Sequence, residues 1–275
     1  MSDKVRKASV AGQFYPETPE LIQDSIKTYL DKVDSKELDI NKLYGIIVPH
    51  AGYPYSGEIA AYGYDLIARY KSKKYVVIAP SHREYINGFS VYPGDYYSTP
   101  IGEIPLDKDF IEDLLQKTGS VEKSIKGHRQ EHSLEIQLPF LQTVVDDFEL
   151  IPIMAGNADK NDVLELAEVL SEMEQEQDFT VIASSDLSHF HSYRVAIEKD
   201  RELINKLQNF DIDNLVEAHQ NRSLEACGMI PINVLMEYAR KSGQAKFAEL
   251  DYRNSGDTAG GRDRVVGYLA AALYE

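Results

Sequence analysis

Three short apolar runs, each leading to a histidine, constrain this chain more than anything else in it. Gly45-Ile46-Ile47-Val48-Pro49 runs into His50, and Tyr75-Val76-Val77-Ile78-Ala79-Pro80 into Ser81-His82. Phe179-Thr180-Val181-Ile182-Ala183-Ser184 is followed by Ser185-Asp186-Leu187-Ser188-His189. Short β-branched runs without polar alternation read as strands buried on both faces, the pattern of a parallel sheet covered by helices. After His50, a loop punctuated by Gly52, Pro54 and Gly57 opens into helix-like apolar spacing from Ile59 to Ile67. In open α/β sheets ligands sit beyond the carboxyl ends of the strands, so all three histidines fall where chemistry is expected.

The remaining elements follow from the same reasoning. Thr18-Pro19-Glu20 offers an N-cap, an N1 proline and an early acid for a helix through about residue 33, and a charged segment over 34–42 links it to the first buried strand. Phe89-Ser90-Val91-Tyr92 reads as a short strand, and residues 93–103 as a polar, aromatic turn region bordering a cleft. Residues 107–117 are amphipathic and helical. Ser133 reads as the N-cap of a helix that crosses Pro139 towards residue 145, with the proline bending or ending it. Strands are expected at 149–154, 246–252 and 264–273, and helices at 161–175, 193–207, 211–219 and 229–240. No repeat or linker divides the chain, so residues 1–275 read as a single α/β domain with a central, mostly parallel sheet flanked by helices.

Charge and cysteine usage narrow the function classes. Lys and Arg number 29 against 45 Asp and Glu, and the net charge of −16 opposes binding to nucleic-acid backbones or anionic lipid. The one cysteine cannot form an internal disulfide, the first fifteen residues lack a signal-peptide apolar core, and no apolar run approaches about 18 residues. A soluble, cytoplasmic protein with no membrane partner fits these features.

His50, His82 and His189, with Asp186 and Glu131 as oxygen donors, form a donor set suited to a divalent first-row metal. Two histidines and a carboxylate leave positions open for O₂ and an organic substrate on iron, whereas the same donors on zinc activate water, and the spacing leaves both open. His132 sits near a helix N-terminus, whose dipole favours a neutral imidazole. His128, His191 and His219 lie in polar stretches and are expected to face solvent. Cys227 reads as a small buried hydrophobe, with a thiolate ligand as the alternative if the following helix lowers its pKa. Tyr53 and Tyr55 are expected at a pocket wall. Ser184, Asp186 and His189 are hydrolase residue types without a nucleophile elbow, and the glycine-rich stretch at 255–262 matches no phosphate-loop pattern.

Taken together, six ordered motifs resemble the Memo family, that of the mediator of ErbB2-driven cell motility and its prokaryotic relatives, component B of the AmmeMemoRadiSam set. They are Ala11-Gly12-Gln13-Phe14-Tyr15-Pro16, then Pro49-His50-Ala51-Gly52-Tyr53 with Tyr55-Ser56-Gly57, then Pro80-Ser81-His82. Glu131-His132-Ser133 with Glu135, Ser184-Ser185-Asp186 with His189, and Cys227-Gly228 with Pro231-Ile232 complete the series. The resemblance implies a fold similar to class III extradiol ring-cleavage dioxygenases, with a pocket in place of their non-haem iron site. It also implies His50, His82 and Cys227 as ligands of iron or copper, with Asp186 and His189 lining the same pocket. A Cys ligand would soften such a site towards copper.

These readings give Asp186, His189 and His132 as candidate acid/base residues of a metal-dependent redox or dioxygenase-like protein acting on a small molecule. The alternatives are a binding protein with a relic oxygenase pocket and a metal-assisted hydrolase. The AmmeMemoRadiSam association that the resemblance carries further implies a prokaryotic setting beside a radical-SAM protein, to which this chain, with no Cys-x3-Cys-x2-Cys motif of its own, would be a companion. The animal proteins' phosphotyrosine partner is not carried over, since no arginine cluster is evident in the sequence.

Overall fold

A computed structural model describes residues 4–34, 37–221 and 223–275. Positions 1–3 and 222 of the expected single domain, and 35–36 of the charged connecting segment within it, lie outside the described residues. The chain opens with β1 (Val5–Arg6) and α1 (Pro19–Leu30). The Thr18 side chain accepts the Leu21 N–H and Pro19 begins the helix, as the sequence predicts, although the helix stops at Leu30. Then β2 (Leu43–Val48), α2 (Tyr53–Arg69) and β3 (Lys74–Pro80) follow in succession. Next come β4 (Phe89–Val91), β5 (Tyr96–Thr99), β6 (Gly102–Pro105), α3 (Lys108–Lys117) and β7 (Val121–Lys123). The middle of the chain supplies α4 (His132–Glu135), α5 (Leu138–Val144), β8 (Glu149–Ala155), α6 (Lys160–Met173) and β9 (Thr180–Ser184). The last third holds β10 (Asp186–His191), α7 (Tyr193–Gln208), α8 (Leu215–Gln220) and α9 (Met229–Ser242). It closes with β11 (Lys246–Asn254), α10 (Ser255–Thr258) and β12 (Val265–Tyr274).

The main sheet runs in the order β10-β12-β2-β9-β3-β8-β4-β7, with β11 paired to β12. Its centre, β2-β9-β3-β8, is parallel, and it is built from the apolar runs that the sequence marks as two-face-buried strands. Antiparallel pairings through β12 on one side and β4 on the other make the whole sheet mixed. Both faces of β2 are covered. A Cβ on Gly63 of α2 would lie 2.6 Å from Val48 Cγ1, and one on Gly45 would lie 2.7 Å from Leu235 Cδ1 of α9. One apolar cluster extends from Val10 to Leu273. Among the described residues no helix is long and apolar enough to cross a membrane.

Three expectations are corrected here. The turn region at 93–103 contains β5 and the start of β6, and β5 pairs with β6 on one side and β1 on the other as a separate three-stranded sheet. The single helix expected from Ser133 is two helices, because Pro139 has no N–H to offer the Glu135 carbonyl; α4 ends before it and α5 starts around it. The cap of α4 is Glu131, whose side chain accepts the His132 and Ser133 N–H groups.

Candidate metal centre

Parallel register carries the site. Val48 is level with Ser184 and Pro80 with Ala155, so β2, β9, β3 and β8 release the chain along one edge. His50 and His82 each stand two residues past a strand end, and His132 enters from the start of α4. Their metal-competent atoms all lie within 4.8 Å of one another. The ring centroids of His50 and His82 are 5.2 Å apart, those of His50 and His132 5.5 Å, and those of His82 and His132 4.9 Å.

Every ring is held from behind. Ser184 Oγ gives its proton to the Ser133 carbonyl at 2.7 Å, accepts Gln137 Nε2 at 2.8 Å, and so accepts His50 Nδ1–H at 2.9 Å. Glu131 Oε1 accepts His82 Nδ1–H at 3.0 Å and His132 Nδ1–H at 2.9 Å, while Oε2 accepts the His82 amide at 2.6 Å. With all three Nδ1 atoms occupied as donors, the three Nε2 lone pairs are the ones left to converge. A carboxylate or hydroxyl behind each imidazole is the usual means of fixing a metal-binding tautomer. Burial first, then the neighbouring His82 and His132, push His50 well below the usual histidine range, so it stays neutral. Burial works to raise the Glu131 carboxyl, but hydrogen bonds from His132 and His82 outweigh it and hold it far below the usual range. Zinc-like bonds of about 2.0–2.1 Å separate tetrahedral ligand nitrogens by roughly 3.3 Å, so modest ring movement would complete the shell. Three imidazole donors on a fixed scaffold therefore fit a divalent metal.

Of the three histidines Cys227 approaches only His50, with Sγ 3.0 Å from Nε2; Sγ also accepts the Asp186 N–H at 3.2 Å, and it is not part of the three-histidine group. Its thiol is pushed up, by burial and then by the Asp186 carboxylate, instead of down as the helix-terminus argument expects. Asp186 Oδ1 accepts the His50 amide at 2.7 Å, and burial raises its carboxyl above the usual range against that bond. His189 donates Nδ1–H to Leu187 O at 2.8 Å, leaving Nε2 as an acceptor. Two register shifts in β10, one on each side of His189, aim these residues. Asp186 and His189, three apart, would face opposite sides of a regular strand, and the extra residue between them changes that. Phe190, inside the second irregularity, has φ of 63°.

His82, His189 and Cys227 line a cleft of about 890 Å³, with Leu187, Leu224 and Ile230 as apolar wall. His191 and His219, expected in solvent, line the same cleft, and His191 Nε2 meets Glu225 at 2.7 Å. His128, also expected in solvent, is fully buried and accepts the Tyr97 hydroxyl at 2.5 Å. Tyr53 is buried and bonds Ile136 O, Tyr55 is half exposed, and neither lines the cleft. Phe14, which spacing did not single out, lies 4.6 Å from the His132 ring. Glu131 was readable as an oxygen donor but serves here as the support of two imidazoles.

A mixed α/β sheet with three histidines gathered at the ends of its central strands defines the class: an α/β protein with a potential metal centre. The chain belongs to the Memo family, as the family model for Memo-like proteins matches residues 6–272. It is 37% identical over 270 residues to a MEMO1 family protein of Methanosarcina barkeri, covering 97% of this chain and 98% of that one. It is 32% identical over 265 residues to a MEMO1 family protein of Thermoplasma volcanium, covering 96% of each. Among solved structures, an uncharacterized protein of Escherichia coli K12 shares the fold at a TM-score of 0.57 and 11% identity, over 85% of this chain and all of that one.

Proposed function

We propose that this protein binds one redox-active first-row metal, iron or copper, through His50, His82 and His132, with Cys227 as a further ligand, and acts on a small molecule in the adjoining cleft. The observation that carries this reading is the set of three imidazoles whose Nδ1 atoms are all engaged. When bound, such a metal would supply one-electron chemistry and open positions for O₂ and substrate. The protein's own groups do the rest. His189 Nε2 accepts a proton at the cleft wall, Asp186 fixes the His50 backbone, and Leu187, Leu224 and Ile230 contact the apolar body of the substrate. A radical-SAM protein is the proposed companion, in keeping with the single cysteine of this chain.

Anaerobic titration of chelator-treated protein with Fe(II) or Cu(I), followed by O₂ uptake with a catechol panel, tests the reading. One equivalent should bind, and His50→Ala and His132→Ala should each lose it. Failure of the wild type to retain either metal would end the proposal. The His50–Cys227 contact, which satisfies both partners without a metal, favours the relic binding pocket as the second reading. That reading is selected if metal binds but no substrate is turned over, and if His82→Ala still captures a partner.

A further inference from the structure

The acidic chain contains one cavity of the opposite character. About 570 Å³ in volume, it lies along the first strand and the segment before α4, and among the described residues it is lined by Lys4, Arg6, Lys7 and Arg129 with no Asp or Glu. In a protein with 45 acids against 29 bases, a described lining of four bases and no acid stands apart from the overall charge. Arg6 does not serve it, because its donors are turned inward. Nε bonds His128 O at 2.8 Å, one terminal nitrogen pairs with Glu135, and the other bonds Ser9 Oγ and Glu131 O. Among the described residues Lys4 and Lys7 have no carboxylate at ion-pair distance. Arg129 meets only Glu84, at 3.3 Å through one terminal nitrogen, leaving most of its fork free. Gln130 adds an amide, and Val5, Ile125 and Tyr92 supply apolar wall.

We propose that this cavity binds a small organic phosphate. Two lysines without a carboxylate at ion-pair distance among the described residues, and an arginine that meets Glu84 through one terminal nitrogen only, match a doubly charged phosphoryl group, which Arg can grip through its two remaining N–H-bearing nitrogens while Lys contributes point charge. The volume exceeds that of an inorganic anion, and the apolar wall accommodates an attached organic group. The site is separate from the three histidines, so it stands or falls independently of the metal reading.

The test is isothermal titration calorimetry of the full chain, chelator-treated so that no metal can capture phosphate, with AMP, adenosine and inorganic phosphate as probes at low salt. AMP should bind one to one, and adenosine should bind at least tenfold more weakly. Lys7→Ala combined with Arg129→Ala removes two exposed side chains and should weaken AMP at least tenfold with an unchanged melting temperature. His50→Ala should leave AMP binding as it is. AMP affinity should also fall as salt rises. The absence of AMP binding at about 1 mM, equal binding of adenosine, or full binding by the double variant would each overturn the proposal. Inorganic phosphate matching AMP would also overturn it, since the organic group would then contribute nothing.

Discussion

The Cys227 thiol and His50 Nε2 stand 3.0 Å apart, so the one cysteine of the chain occupies the lone pair that a metal would need. Burial and Asp186 keep that thiol protonated well above neutral pH, whereas His50 is already neutral. Capture of a metal as thiolate must therefore release a proton that imidazole ligation alone does not. At pH 8, Zn(II) binding to the wild type should release about one more proton than binding to Cys227→Ala, measured from calorimetric heats in buffers of different ionisation enthalpy. Equal proton release by the two proteins would remove Cys227 from the ligand set.

Glu131 presents one carboxylate to two imidazoles and caps α4 as well. Glu131→Gln keeps the shape, but its neutral amide oxygen is a weaker acceptor for the two Nδ1–H groups that Oε1 holds, and its NH₂ would face the His82 amide that Oε2 accepts, so the tautomers of His82 and His132 are held less firmly. Supporting groups of this kind are typically worth 10–100-fold in metal affinity, and a loss in that range is expected by competition with a chromogenic chelator. Glu131→Gln also weakens the cap, by about 1 kcal/mol in thermal unfolding. A variant that loses stability yet binds metal like the wild type would show that Glu131 serves the helix alone.

Much of this was legible in the sequence, for identifiable reasons. The central strands are buried on both faces, which forces continuous apolar runs, and parallel register then puts Pro49-His50 and Ser81-His82 at one edge. What escaped reading depends on contacts across long sequence separations. The burial of His128 comes from Tyr97 and Ser90, 31 and 38 residues away, and no local pattern marks it. The aim of His189 depends on irregularities in its pairing with β12, which composition does not reveal. His132 looked like a residue near a helix start, which it is, but only folding brings it beside His50.

Burial of His128 has a consequence for acid stability. Its folded pKa is driven down to about 3, mainly by burial, with the Ser90 carbonyl opposing and Arg6 assisting. A histidine depressed on folding binds fewer protons folded than unfolded, so stability is lost as pH falls from about 6.5 towards the folded value. The slope is about 1.4 kcal/mol per pH unit. Asp186 and Asp200, raised by burial, act with the opposite sign, so the comparison must be internal. His128→Gln should be less stable at pH 7, and the gap to wild type in urea unfolding should narrow by about 1.4 kcal/mol per unit between pH 6 and 4. A constant gap would mean that His128 does not carry the effect.

Gly228 tests whether the thiol's position is set by packing. A Cβ there would fall 2.2 Å from the Ser184 carbonyl oxygen and 2.6 Å from Ser185 Cβ, and the first of these belongs to the backbone of β9, which cannot yield cheaply. The same close approach lets the Gly228 N–H reach Ser185 Oγ at 3.0 Å and the Cys227 N–H reach Asp186 O at 3.2 Å. Gly228→Ala must therefore push the start of α9 away from β9 and draw Cys227 back from His50. Overpacking of this kind costs about 1–3 kcal/mol, and the melting temperature should fall accordingly. The thiol should also become more accessible and react faster with a disulfide reagent at pH 8, as removal from the buried site relieves the upward push on its pKa. Unchanged stability together with unchanged thiol reactivity would show that α9 adjusts without moving the cysteine.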